Sequence, residues 1–80
     1  MAKRRMKFTF PPELITRPVI YEIAQRFQVV TNIRRADVAE ERGWVVLELD
    51  GAAEDIERAV EWVMTLNVRV DPIEGDVVEG

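Results

Sequence analysis

The sequence predicts an α+β domain whose elements run β-α-β-β-α-β, and three observations carry that prediction. Period-two alternation at 6–10 and 44–51 marks strands that bury one face. Apolar stripes at helical spacing run through 16–27 and 52–67. Between the second and third strands the chain offers only the short polar connection "EERG", which suits an antiparallel hairpin.

In the first strand, Met6, Phe8 and Phe10 share one side and Lys7 and Thr9 the other; Pro11 and Pro12 end it, because proline cannot donate to a ladder. The first helix is read over "TRPVIYEIAQRF", with Thr16 as N-cap and Pro18 in the first turn, where a missing N–H costs nothing. Val19, Ile20, Ile23, Ala24 and Phe27 form its core stripe. "VVTNIRRADVAEERG" is the second strand with a turn near Glu41–Gly43, and "WVVLELDG" is the third. In the third strand Val45, Leu47 and Leu49 face one way, Trp44, Val46 and Glu48 the other. The second helix, "AAEDIERAVEWVMTLN", carries Ile56, Ala59, Val60 and Val63 on one stripe. Asp50 is its expected cap, Glu54 and Asp55 favour the positive end of its dipole, and Asn67 suits a left-handed C-terminal position. "VRVDPI" is a short last strand, limited by Pro72 to an edge or an end. The order is the split βαβ, or ferredoxin-like, pattern: a four-stranded antiparallel sheet with both helices on one face.

Eighty residues make one domain. Residues 1–5, "MAKRR", read as a basic flexible leader, 6–73 as the folded domain and 74–80 as an acidic flexible tail. Net charge is −4, split between +6 over residues 1–35 and −10 over residues 36–80. Such a split can mark a segment that meets nucleic acid or membrane; solvated acidic surfaces explain it more simply. No apolar run approaches the roughly 20 residues that span a bilayer, and the N-terminus lacks the apolar stretch of a signal peptide. A cytoplasmic protein without membrane insertion is expected.

Cysteine and histidine are absent, which removes disulfides, thiolate catalysis and the usual general base. No threonine has an evident base beside it, so an enzyme is not expected, nor a cofactor or metal. The aromatic residues of the first strand lie on the core side and the basic-Gly-aromatic ribonucleoprotein signature is missing, so nucleic acid is not an expected partner. Trp44 and Val46 lie on the sheet face that no helix covers, and an exposed Trp beside a Val there reads as a homodimer face. In "TNIRR", Asn32 places an amide in a strand, where amides are disfavoured; it can pair with both the carboxylate and the ammonium of an amino acid. Arg34 or Arg35 could add a charged hydrogen bond. The structural alternative is an Asn satisfying local backbone beside solvated arginines.

Phe10 and Pro18, then "RFQV" at 26–29, "NI" at 32–33, "LELDG" at 47–51 and "NVRV" at 67–70 resemble, in order and spacing, the NIL domain. The resemblance covers about residues 6–73. The family takes its name from an Asn-Ile-Leu motif in its second strand. It occurs at the C-terminus of ATPase subunits of methionine ABC importers, fused to ferredoxin-type iron–sulfur domains, and alone. The resemblance implies a ferredoxin-like fold and, in the importers, a regulatory site where methionine binds at the dimer contact. Asn32 matches the motif's Asn and Ile33 its Ile; the third position departs, with Arg34 in place of Leu. The expectation is a non-enzymatic regulatory dimer with Asn32, Ile33 and Arg34 as ligand contacts for methionine or another amino acid. The alternative is a protein-interaction module docking on a transporter or an iron–sulfur redox partner without a small ligand.

Overall fold

The computed structural model describes residues 1–73, so the tail expected at 74–80 lies outside the described residues. Its strands are β1 (Ala2–Phe10), β2 (Val29–Val38), β3 (Gly43–Gly51) and β4 (Arg69–Pro72), and its helices are α1 (Val19–Arg26) and α2 (Ala53–Met64). The strands form one antiparallel sheet in the order β2-β3-β1-β4. Two helices on one face complete the expected ferredoxin-like α+β architecture. Alternation decides which face is inside: Phe8 and Phe10 of β1 and Val45, Leu47 and Leu49 of β3 bury with Val19 and Ile23 of α1 and Ile56, Ala59 and Val63 of α2. Among the described residues no helix is long and apolar enough to cross a membrane.

β1 is longer than its apolar alternation suggests. Ala2–Arg5, expected to be a flexible leader, pair with Gly51–Glu48 and form the first part of the strand. Charge hides this in the sequence, because Lys3, Arg4 and Arg5 are basic on both faces. Each has an acid in reach: Lys3 lies 4.0 Å from Asp50, Arg5 3.1 Å from Glu48, and Arg4 on the helix side 3.6 Å from Glu57 of α2.

The helices start later than their expected caps. α1 begins after Pro18, with Thr16 outside it, and α2 begins after Ala52, with Asp50 still in β3; neither start has a side-chain cap. A single 3-10 turn at Pro12–Leu14 leads toward α1. Just before α1, Arg17 donates twice to the Glu22 carboxylate, at 2.8 and 2.9 Å. Those hydrogen bonds hold the Glu22 carboxyl below the usual carboxylate range and raise the Arg17 guanidinium. Trp62 of α2 ties the helices together, with the Arg26 guanidinium 4.5 Å from its ring centroid and the Phe27 ring at 6.0 Å. Ala24, expected in the core stripe, is exposed, because α1 is only 8 residues long and buries just Val19 and Ile23.

Candidate functional site along the edge strand

β2 is hydrogen-bonded to β3 on one side and forms an outer edge of the sheet on the other. From Asn32 to Val38 every residue is exposed. Asn32 stands opposite Glu48, so it belongs to the helix-free face. Ile33 stands opposite Leu47 on the helix face but is 56% exposed, because the short α1 does not reach over it. The register then jumps from Ile33↔Leu47 to Arg35↔Val46, which makes Arg34 the extra residue of a β-bulge. Asn32, Ile33 and Arg34 are thus contiguous along one edge without converging on one pocket.

The bulge re-aims the rest of the strand. Arg35 and Asp37 return to the helix-free face, opposite Val46 and Trp44, while Ala36 and Val38 return to the helix face. Val38 is 56% exposed. Reading the strand as unbroken alternation conceals this pairing of Ile33 with Val38 on one side and Arg35 with Asp37 on the other.

The helix-free face is not the apolar patch expected from Trp44 and Val46. Val46 is only 8% exposed, lying in its rung between Lys7 of β1 and Arg35 of β2. The stems of such long charged side chains cover apolar neighbours. Trp44 is half-buried, with the Lys7 ammonium 4.9 Å from its ring centroid. Around them the face carries ion pairs: Arg5–Glu48, Lys3–Asp50, and Arg69–Asp71 at 2.9 Å. Val30, opposite Asp50 on the same face, is the large aliphatic that stays exposed there.

An apolar cleft of about 310 Å³ opens instead on the helix side, between the turn leading into α1 and the far end of β2. Phe10 and Val45 are among its buried walls, and Ile15, Ile20, Tyr21 and Val38 are among the others. Its one charged lining residue, Arg17, is bound to Glu22. Sequence reading assigns Phe10, Val19 and Ile20 to the core and gives no role to Val38 or Tyr21, since a cleft between distant segments leaves no local pattern. The cleft lies on the other face from Asn32 and away from it along the strand. Among the described residues no group of three or more acidic side chains is placed to hold a metal ion.

The family model of the NIL domain matches residues 4–72. Among solved structures, the C-terminal domain of an ABC transporter ATP-binding protein from Enterococcus faecalis is similar, with a TM-score of 0.76 and 23% identity. The match covers 91% of this chain and 86% of that one, and at that identity it speaks for the fold. No curated protein matches the chain.

Proposed function

The chain belongs to the NIL domain family, and from that premise we propose that it is a non-enzymatic regulatory module that binds a small zwitterionic ligand, methionine or another amino acid, as a dimer. The observation that carries this reading is the placement of Asn32. It is an exposed strand amide on an open edge, beside an exposed Ile33 and the bulged Arg34. An amide and a guanidinium suit the polar end of a zwitterion, and Ile33 suits an aliphatic or thioether side chain. Buried ligands need enclosing walls, and one copy of this edge supplies only one wall. A second chain would supply the other.

The test is thermal unfolding of the protein against a panel of amino acids, methionine foremost. Free ligand at 100 times its dissociation constant adds about 2.7 kcal/mol of stability. For a domain of this size that is a shift of roughly 10 °C or more, given about 4–8 °C per kcal/mol. The shift is expected for one ligand and is expected to vanish in Asn32→Ala. A flat panel at millimolar concentration would overturn the reading for those compounds. The 10-residue edge strand also favours a second reading, docking by strand addition on a transporter or an iron–sulfur redox protein. Under that reading Asn32→Ala leaves partner binding intact and no amino acid shifts the unfolding.

A further inference from the structure

We propose that the groove between the C-terminal end of α1 and the first turns of α2 binds a phosphorylated small molecule, with Arg26 and Arg58 on the phosphate and Phe27 against the organic part. The groove has a volume of about 490 Å³ and is lined by Arg26, Phe27, Gln28, Asp55 and Arg58. That is within the range of small-molecule sites. It is separate from both features described above. The apolar cleft lies at the start of α1 and this groove at its end. Asn32 belongs to the face of the sheet that the helices leave open.

The groove holds an arginine that is kept in place with its hydrogen bonds unspent. The Arg26 guanidinium lies over the Trp62 ring, 4.5 Å from its centroid. Such a contact restrains a guanidinium and leaves its N–H donors available. Among the described residues those donors meet no acceptor: Arg26 makes no ion pair and no side-chain hydrogen bond. Glu22 stands one turn back on α1, but its carboxylate accepts two hydrogen bonds from Arg17. The exposed Gln28 side-chain amide has no partner among the described residues either. Arg58, on α2, donates to Asp55 one turn back. That bond restrains a second guanidinium while using one of its five N–H donors.

Two guanidinium groups from different helices face one carboxylate, so the lining is net positive. A phosphate group carries about −1.5 to −2 charges at pH 7 and three acceptor oxygens. It can therefore meet both guanidinium groups and the Gln28 amide together, and the arginine fork matches its geometry. Phe27 is half-buried, its ring 6.0 Å from that of Trp62, and it is the apolar part of the lining. An inorganic phosphate would leave that wall uncovered, whereas the body of a phosphorylated organic molecule covers it.

Nuclear magnetic resonance titration of the full chain with phenyl phosphate tests the site, followed on the Nε–H signals of Arg26 and Arg58 and the side-chain amide of Gln28. Saturable shifts are expected on all three groups, and they are expected to weaken as salt is added, because the charges are exposed. Inorganic phosphate is expected to move the same signals with several-fold lower affinity. Arg26→Gln is expected to weaken phenyl phosphate binding roughly tenfold, as loss of a hydrogen bond to a charged group does. Arg26→Lys keeps the charge but not the planar fork and is expected to lose less. Asn32→Ala is expected to leave the affinity unchanged, which keeps the result independent of the amino-acid reading. Thermal unfolding of each variant without phenyl phosphate separates a lost site from a lost fold. The proposal is overturned by the absence of saturable shifts at millimolar phenyl phosphate, or by inorganic phosphate binding as tightly. Shifts centred on Lys3–Arg5 instead, or an affinity indifferent to both Arg26→Gln and Arg58→Gln, overturn it equally.

Discussion

Asn67 sits just past α2 at φ 66°, a conformation that costs an ordinary L-residue roughly 1–2 kcal/mol and costs asparagine less. Its N–H donates to the Met64 carbonyl at 3.1 Å, and the residue turns the chain from helix into β4. Asn67→Gly is therefore expected to leave stability nearly unchanged. Asn67→Val is expected to lower it by about 1–2 kcal/mol, read from the urea midpoint at unchanged slope. This position was legible in the sequence because the left-handed preference belongs to the residue itself. The caps expected at Thr16 and Asp50 were not realised, because capping depends on where the helix starts, and the sheet claims Asp50 first.

At the scale of elements, most of both core stripes and the alternation of β3 carry through from sequence to structure, since burial of one face is what produces each pattern. The Arg34 bulge had no signature: a bulge looks like any other residue until a partner strand fixes the register. Asn32, Ile33 and Arg34 could therefore be read as neighbours, but not as residues divided between two faces and a bulge. The bulge has a testable consequence. Deleting one residue from a regular strand sends everything beyond it to the wrong face. Deleting Arg34 instead joins Ile33 to Arg35 in simple alternation, helix face to free face, and leaves Ala36, Val38 and the β3 partners where they are. Arg34 deletion is expected to change stability by no more than about 0.5 kcal/mol, the usual range for surface changes. Deletion of Ala36 either puts Asp37 and Val38 out of phase with Trp44 and Gly43 or closes the bulge and sets Arg35 opposite Val45 on the helix face, and it is expected to cost clearly more in the same unfolding assay. Equal losses would mean that the bulge is structurally required.

For the whole molecule, the decisive fact is how the fold treats a lopsided charge distribution. The basic N-terminal stretch and the acidic later segments are far apart in sequence, and the sheet sets β1 directly against β3. The +6 and −10 thus meet in part as Lys3–Asp50, Arg5–Glu48 and Arg4–Glu57. Individual surface pairs of this kind contribute little, about 0–1 kcal/mol. Their value is in holding Ala2–Arg5 to the ladder, where each backbone hydrogen bond adds about 0.5–1.5 kcal/mol net. Removing residues 1–5 therefore deletes the half of β1 that pairs with β3 alone and exposes one side of β3 at Glu48–Gly51, including the buried Leu49. The expected loss is about 2–4 kcal/mol, the sum of a few such bonds. Against a total of roughly 4–12 kcal/mol for 80 residues, that is a large share of what holds the fold. Urea unfolding of residues 6–80 beside the full chain measures it. A true leader would leave the midpoint unchanged, whereas a stretch paired to β3 moves it to lower urea.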